Sequence, residues 1–221
     1  LFNVLTGYSR PPEYNRFIVA PNGLRPFFSR MIRNEIESAK KNLPCGISAK
    51  VNSLVDPEII SLLYQASNAG VPIRLIVRGI CCLTPGKEGY SENITVRSIV
   101  GRLLEHSRIF VFENTGNAKV FLGSADWMQR NLDRRVELVF PVEDEHLRRR
   151  IIQAVDLMLM DNENAREMSS DGTYFRVDRR GKTSLNCQEK FTKIAEQYAK
   201  DCMHGEVPTL QQGIAEPLSK T

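Results

Sequence analysis

The sequence has no uninterrupted apolar run of the roughly 18 residues that a membrane-spanning helix requires, which predicts that no such helix is present. It has only three histidines, and we expect two of them, His146 and His204, at the surface. Its five cysteines include no Cys-x-x-Cys pair. This spacing predicts neither a structural zinc site nor a disulfide framework, so we expect free thiols in a reducing compartment. Internal repeats and low-complexity tracts are also missing, and the composition excludes collagen, coiled coils and wholesale disorder.

The composition is that of a globular protein, because 42% of the residues are hydrophobic and 25% are charged. The 221 residues suffice for one domain with attachments or for two small domains. The chain begins with Leu1 rather than methionine, so we expect it to be a piece of a longer protein.

Positive charge is concentrated in one part of the chain. The net charge of +4 is too small to indicate a nucleic-acid-binding protein. Eight arginines and two lysines nevertheless lie among β-like runs, namely Arg74, Arg78, Lys87, Arg97, Arg102, Arg108, Lys119, Arg130, Arg134 and Arg135. Arginine presents a planar guanidinium that binds phosphate oxygens with paired hydrogen bonds. An anion-binding surface and an ordinary solvated face both fit this pattern.

The clearest structural pattern is a strand, a helix and a second strand over residues 47–77. Asp56 is a favourable N-cap, Pro57 suits the first helical position, and Gly70 is a natural end for the helix. The apolar strand Ile73–Val77 follows directly. This arrangement predicts a right-handed βαβ crossover between parallel strands, and hence an α/β fold.

The other elements follow from apolar periodicity and turn residues. We expect one domain at 17–180, preceded at 1–16 by a linker or the end of another domain and followed by a polar tail at 181–221. No helix is expected between the βαβ unit and residue 142. The predicted elements are a strand at 17–20, a helix at 25–41, strands at 94–100, 109–112, 120–122 and 136–142, a helix at 143–160, a strand at 171–177 and a helix at 186–201.

His106 is the histidine with the strongest indication of a chemical role. It stands just before a predicted strand, and Arg108 follows on the same strand face. A histidine can attack phosphorus or transfer a proton, while an adjacent arginine neutralises phosphate oxygens. We expect the Glu113 carboxylate to hold the imidazole in one tautomer, and the turn Gly123–Ser124 to offer N–H groups to an anion. A packed, structural histidine is the alternative.

Two further groups of candidate residues lie at strand ends. Arg78 and Gly79 end the strand Ile73–Val77, and ligands of open α/β sheets bind outside the carboxyl ends of strands. Arg78 is therefore a candidate anion clamp, with an ordinary surface arginine as the alternative. Arg135 and Glu137 enter the last strand of the β-rich region on one face, where they fit either a site or an ion-pair network.

Four blocks of sequence together resemble polyphosphate kinases of the long bacterial type. These blocks are Val71–Leu83, Ser91–Arg102, Leu104–Phe110, and Gly123–Met128 with its continuation Asn131–Arg135. The likeness extends from Leu1–Tyr8 to about Val177, whereas the tail after Lys182 has no counterpart in the resemblance.

The resemblance implies the last catalytic domain of such an enzyme, with the phospholipase-D-like α/β fold of that family, a mixed sheet flanked by helices. The signature of the superfamily is His-x-Lys, four residues, Asp, and later Gly-Ser. Here Arg108 and Glu113 stand in place of the lysine and the aspartate, which disfavours phosphodiesterase activity.

The resemblance also implies roles for individual residues. Arg78 and His106 match nucleotide-binding residues of the family, and Glu137 matches a glutamate that lines the same site. We expect His106, Arg108 and Glu137 to take part in catalysis. No metal ligand is assigned in this chain, because the phosphorylated histidine and the Mg²⁺-binding arginines of the family lie upstream. The candidates for a polyphosphate channel are Arg97, Arg102, Arg130, Arg134 and Arg135.

The reaction implied by the resemblance is the reversible transfer of the γ-phosphoryl group of ATP to inorganic polyphosphate, through a phosphohistidine in an upstream domain. The implied partners are ATP or ADP, polyphosphate, the upstream domains of the same polypeptide and further copies of the full-length enzyme, but no nucleic acid. We expect a cytoplasmic location, with peripheral attachment to the inner membrane left open, and little activity of the chain by itself. Two alternatives are a phospholipase-D-like phosphodiesterase or nuclease that pairs two copies of His106, and a non-catalytic polyanion-binding module.

Overall fold

The computed structural model describes Tyr14 and residues 16–203 of the chain. The strands in this part are β1 Ile18–Val19, β2 Ile47–Val51, β3 Ile73–Val77, β4 Ile94–Ile99, β5 Arg108–Phe112, β6 Lys119–Gly123, β7 Leu138–Pro141, β8 Ala165–Met168 and β9 Tyr174–Arg176. The helices are α1 Leu24–Lys40, α2 Pro57–Asn68, α3 Gln129–Asp133, α4 Glu145–Leu159 and α5 Cys187–Met203, with a short 3₁₀ turn at Asn114–Gly116. His204, most of the predicted linker at 1–16 and the end of the predicted tail lie outside the described residues.

The strands form one mixed sheet in the order β1-β7-β6-β5-β2-β3-β4-β8-β9. Its centre confirms the predicted βαβ unit, because β2 pairs in parallel with β3, and α2 connects them. The Asp56 carboxylate caps α2 by accepting a hydrogen bond from the Ile59 N–H at 3.0 Å. Gly70 follows the helix with a φ of +90°, a conformation that glycine adopts without strain.

Helices cover the sheet, and β2 is buried along its whole length. Helices α1 and α2 share the main hydrophobic core with the central strands. A second, smaller hydrophobic cluster contains Ile109 and Val111 of β5 together with Val155 of α4. A third cluster brings Cys187, the first residue of α5, against Ile76 of β3.

An aromatic cluster fixes the loop after β6. The ring centroid of Phe110 lies 4.6 Å from that of Phe28 and 5.4 Å from that of Trp127. The carbonyl oxygen of the buried Trp127 accepts hydrogen bonds from the N–H groups of Val55 and Asp56, both at 2.9 Å. This packing holds the segment that follows β6 against the carboxyl end of β2.

The structure differs from the sequence-based expectation in two places. The short helix α3 lies in a region where no helix was expected, because five residues are too few to show an apolar period. Strand β8 was not predicted either. Its sequence Ala-Arg-Glu-Met has little intrinsic strand preference, and it is a strand because it pairs antiparallel with β4.

The predicted helix at 186–201 is present as α5, and its first residues are well packed. Cys187 is fully buried, and its N–H donates a hydrogen bond to the Asp161 carboxylate at 2.8 Å. The domain boundary at residue 180 stays a prediction, although these contacts tie residues beyond it to the sheet. Within the described part of the chain, no helix has the length and apolar character needed to cross a bilayer.

Candidate functional site

The predicted site residues gather at one end of the sheet. Strands β2 and β3 end at this edge, and the antiparallel strand β5 begins there. The edge therefore carries Arg78 after β3, His106 and Arg108 at the start of β5, and Glu137 before β7. The carboxyl ends of parallel strands are the usual ligand-binding edge of an open α/β sheet.

His106 and Arg108, which their spacing predicted to share one strand face, are in contact. The Nη1 atom of Arg108 lies 3.1 Å from Nδ1 of His106 and donates a hydrogen bond to the His106 carbonyl oxygen at 2.8 Å. The other side of the guanidinium donates to both carboxylate oxygens of Asp126, each at 3.2 Å. Asp126 is itself fixed, because it accepts a hydrogen bond from the Asn52 N–H at 2.7 Å. The exposed imidazole thus lies beside an arginine of fixed orientation.

A buried lysine lies beneath the histidine. The side chain of Lys50, in β2, is only 1% exposed, and its ammonium lies 3.3 Å from the Glu105 carboxylate. The ammonium also donates to the hydroxyl and the carbonyl oxygen of Ser107, at 2.9 and 3.2 Å. Burial lowers the pKa of Lys50, and the nearby Arg78 and Arg108 lower it further, while Glu105 opposes the shift. Three cationic side chains, Lys50, Arg78 and Arg108, thus lie near one another at this edge.

Arg78 differs from the other cations of this edge. Its Nη1 atom is buried and has no hydrogen-bond partner among the described residues. A buried N–H group without a partner is costly, so an acceptor from a bound anion would stabilise it. The next residue, Gly79, is required for a steric reason that the sequence did not reveal, because a Cβ atom at this position would lie 2.9 Å from the Asn52 carbonyl oxygen.

The Glu137 carboxylate is held by neutral groups rather than by Arg135. One of its oxygens accepts a hydrogen bond from the Ser124 hydroxyl, and the other accepts from Asn131 Nδ2 at 2.5 Å. The Oδ1 atom of Asn131 is buried without a hydrogen-bond partner in the described structure. Glu137 therefore lies at the predicted edge, with a fixed carboxylate.

The five channel candidates are placed differently. Arg97 contacts protein groups, since its guanidinium lies 3.0 Å from the Glu167 carboxylate and also donates to the Leu159 carbonyl oxygen. The other four are exposed, namely Arg102, Arg130, Arg134 and Arg135. Three of them lie in or just after α3, whose last residue, Asp133, is fixed by Arg25 at 2.6 Å.

Two expectations about the histidine's surroundings are wrong. Glu113 follows the far end of β5, and a five-residue strand spans roughly 16 Å, so this carboxylate cannot orient His106. The Ser124 N–H is not free for an anion either, because it donates to the Leu138 carbonyl oxygen at 2.9 Å. The carboxylate that acts on the His106–Arg108 pair is Asp126 instead.

The sequence reasoning also missed Lys50 and Gln188. The signal for Lys50 was present, because a lysine inside a strand predicted to be central and buried requires a partner. Gln188, in the first turn of α5, reaches the loop that carries His106, and no sequence signal pointed to it. Among the described residues, no group of three or more His, Cys, Asp or Glu side chains is arranged to hold a metal ion.

Comparisons with known proteins identify the class and then the family. The fold is phospholipase-D-like, since the chain superimposes with a TM-score of 0.50 on Nuc, a phospholipase D family member from Salmonella typhimurium. That match has 16% identity and covers 70% of this chain and 97% of Nuc, so it shows the fold alone. Residues 17–188 match the family model of polyphosphate kinase C-terminal domain 2, and the chain belongs to this family.

Close relatives agree with this assignment and confirm the resemblance. The chain is 48% identical to a polyphosphate kinase of Lactiplantibacillus plantarum over 90% of its length, and 52% identical to one of Parasynechococcus marenigrum over 87%. It covers 28% and 27% of those proteins. The crystal structure of the Porphyromonas gingivalis polyphosphate kinase matches with a TM-score of 0.86 and 38% identity, over 90% of this chain and 31% of that one. The chain thus spans between 27% and 31% of the length of these three polyphosphate kinases.

Proposed function

We propose that the chain is the C-terminal catalytic domain of a polyphosphate kinase. The observation that carries this proposal is the juxtaposition, at one sheet edge, of an unpaired Arg78 with the His106–Arg108 pair, in a chain of this family. In phosphoryl transfer the protein acts mainly by positioning groups and stabilising charge. An edge rich in cations suits that task.

The proposed reaction has two reversible steps. In the first, the bond between the γ-phosphorus and the bridging oxygen of ATP breaks, ADP leaves, and a bond forms between phosphorus and a histidine nitrogen of an upstream domain. In the second, a terminal oxygen of polyphosphate attacks that phosphorus, and the nitrogen–phosphorus bond breaks. The sum is ATP plus a chain of n phosphates giving ADP plus a chain of n + 1.

Each site residue has a proposed role in this reaction. Arg78 binds nucleotide phosphates through its unpaired guanidinium. His106 faces the phosphohistidine and donates a proton or hydrogen bond to the transferring group. Arg108, oriented by Asp126, neutralises charge on the phosphoryl oxygens next to His106. Glu137 lines the same edge, and its fixed carboxylate limits where the polyanion can pass.

The polyphosphate chain is proposed to run along the exposed arginines Arg102, Arg130, Arg134 and Arg135. Arg97 was a further candidate, but its contacts with Glu167 and Leu159 favour a role in joining β4 to β8. Exposed charges are screened by salt, so polyphosphate binding should weaken as ionic strength rises.

The remaining parts of the proposal concern the full-length enzyme. Mg²⁺, which would neutralise the phosphates of ATP, is assigned to residues upstream of this chain, and no step here depends on it. The partners are ATP or ADP, polyphosphate, the upstream domains and further copies of the enzyme. The free thiols of all five cysteines fit a cytoplasmic location.

The direct test uses ATP radiolabelled in its γ-phosphate. We expect the full-length enzyme to transfer the label to polyphosphate and the purified chain of residues 1–221 to transfer none, since the phosphohistidine is supplied upstream. Synthesis of polyphosphate by the purified chain would contradict the relay. Hydrolysis of a phosphodiester such as bis-p-nitrophenyl phosphate by the chain would instead support a phospholipase-D-like hydrolase.

A further inference from the structure

His106 lies between two residues that are anchored from beneath. Glu105 and Ser107, its immediate neighbours, both contact the buried ammonium of Lys50, at 3.3 Å and 2.9 Å. The imidazole itself is exposed. The position of His106 is therefore set by its loop and by the adjacent Arg108 rather than by contacts in the core.

A second anchor of this loop is Gln188, a residue far along the chain from His106. Gln188 is 5% exposed, and its amide pairs with both backbone groups of Leu103. The Leu103 N–H donates to Gln188 Oε1 at 2.9 Å, and Gln188 Nε2 donates to the Leu103 carbonyl oxygen at 2.8 Å. The same Nε2 donates to Glu105 Oε1 at 2.7 Å, while the other oxygen of Glu105 faces Lys50. The Glu105 carboxylate thus joins the two anchors.

The helix that carries Gln188 is held independently of these contacts. The Cys187 side chain is buried in a hydrophobic cluster, and its N–H donates to the buried carboxylate of Asp161. A substitution of Gln188 should therefore leave α5 in place. The loop also approaches Gln188 closely, because a Cβ atom on Gly101 would lie 2.5 Å from Gln188 Oε1.

We propose that Gln188 is a positioning residue for His106. Together with Glu105 and Lys50, it fixes the loop 101–107 so that the imidazole meets the transferring phosphoryl group in one orientation. The start of α5 is then part of the catalytic apparatus rather than a passive tail. The expected effect on turnover rests on the proposed function, whereas the expected effect on the position of His106 does not.

The first test observes His106 in the purified chain by NMR. The chain has three histidines, so the spectrum of His106→Gln identifies the His106 ring signal. We expect Gln188→Ala to shift that signal and to leave the His146 signal unchanged. Lys190→Ala, which removes an exposed side chain from the same turn of α5, is the matched control and should shift neither. An unchanged His106 signal in Gln188→Ala would overturn the proposal.

The second test measures turnover in the full-length enzyme. Displacing a catalytic group by about 1 Å lowers rates by up to about 100-fold, so we expect Gln188→Ala to lower kcat by roughly 10- to 100-fold. The KM for ATP should change less, because the phosphates are assigned to Arg78 on another strand end. If Gln188→Ala and Lys190→Ala have the same turnover per folded molecule, the proposal is contradicted, whatever the melting temperature of Gln188→Ala.

A third variant disturbs the same contact from the loop side. Gly101→Ala should push the Gln188 amide away from Leu103 and lower kcat in the same way. If both substitutions act on one contact, the double variant should be no slower than Gln188→Ala alone, whereas multiplied losses would contradict a shared mechanism. An inactive unsubstituted enzyme would overturn the proposed function only, and the His106 signal would still decide the positioning role.

Discussion

The two ends of strand β2 have opposite electrostatic character. At its start, the buried Glu35 carboxylate accepts hydrogen bonds from the N–H groups of Gly46 and Asn114, at 3.0 and 2.8 Å. Near its end, the buried ammonium of Lys50 lies close to the guanidinium groups of Arg78 and Arg108. One strand of five residues thus connects an acidic end and a basic end.

The two ends also differ in whether their buried polar groups have hydrogen-bond partners. At the acidic end, both carboxylate oxygens of Glu35 have donors, so the group is satisfied within the protein. At the basic end, Arg78 Nη1 and Asn131 Oδ1 are buried without hydrogen-bond partners in the described structure, and His106 is exposed. Buried polar groups are normally satisfied, so the unpaired Arg78 Nη1 atom, at the edge that also carries the exposed His106, supports the proposal that a ligand binds there.

A pocket lies at the acidic end, but the charges that line it do not favour a polyanion. A pocket of about 200 Å³ is lined there by residues that include Glu113 and Arg74. Its arginine is already engaged, because Arg74 pairs with Asp156 at 2.9 Å and with the Ser48 hydroxyl at 3.1 Å. A polyanion should therefore prefer the basic end, where Arg78 Nη1 has no hydrogen-bond partner among the described residues.

The largest expected effect belongs to His106, the exposed group of the basic end. In the full-length enzyme, His106→Gln should slow phosphoryl transfer by roughly 10²–10⁴-fold, the range for losing a general acid or base. The fold should be kept, because the side chain is exposed. The affinity for ATP should be largely kept as well, because Arg78 is the residue proposed to hold the phosphates. Transfer of radiolabel from ATP, measured beside a thermal melt, separates this result from a structural role. A lower melting temperature with an unchanged rate would make His106 a packing residue.

The next largest effect is expected at Arg78, which follows β3, and is compared with Arg74 inside the same strand. Arg78→Ala should weaken ATP binding more than tenfold, since a charge-assisted hydrogen bond contributes about 1.5–3 kcal/mol. Arg74→Ala is the matched control, because Arg74 points to Asp156 at the other end. Calorimetric titration with ATP measures both, and equal losses would remove the distinction between the ends.

A third substitution tests the acidic end as a purely structural one. Glu35→Gln replaces one of two acceptors with a donor, so one buried N–H loses its partner and the free energy of unfolding should fall by about 1–3 kcal/mol. Turnover per folded molecule should not change. Urea denaturation gives the stability, and a loss of turnover without a loss of stability would assign function to the wrong end.

The same carboxyl gives a pH dependence with a definite sign. Burial raises the pKa of Glu35 above its ordinary value of 4.5, so the folded state binds this proton more tightly than the unfolded state. The corresponding stability is present below pH 4.5 and is lost as the pH rises through the raised pKa. The difference in stability between the unsubstituted protein and Glu35→Gln should therefore narrow as the pH rises above 4.5.

The smallest effect concerns the exposed arginines. Arg135→Ala should weaken polyphosphate binding by only about 0.2–1 kcal/mol, as is typical of exposed charges, and the loss should shrink in high salt. Arg149→Ala on α4, which removes an exposed arginine paired with Glu145, is the control and should have no effect. Equal effects of both variants at every salt concentration would indicate general charge attraction rather than a channel.

Local signals made part of the fold predictable from the sequence. The βαβ unit was predictable because its signals are local, namely the Asp56 cap, the proline that follows and the helix-ending Gly70. Arg78 and His106 share one edge because β5 runs antiparallel to β2, a pairing that the sequence analysis did not predict. Glu113 was misplaced although the rise of a strand, about 3.3 Å per residue, already puts it at the opposite end of β5 from His106.

The rest depends on contacts between distant residues. Lys50 is 57 positions from Ser107, and Gln188 is 83 from Glu105, so neither pairing leaves a local pattern. Strand β8 likewise exists through its pairing with β4. The role of Asp126 beside Arg108 required the packing of Trp127, which fixes the loop after β6.

The central claim is that the basic end of the sheet binds the phosphates of a nucleotide. A crystal structure of the chain with a non-hydrolysable ATP analogue tests it most directly. We predict phosphate oxygens within hydrogen-bonding distance of the Arg78 guanidinium and close to the His106 ring, with Arg108 still paired to Asp126. An analogue bound in the pocket between Arg74 and Glu113, with Arg78 unoccupied, would contradict the account.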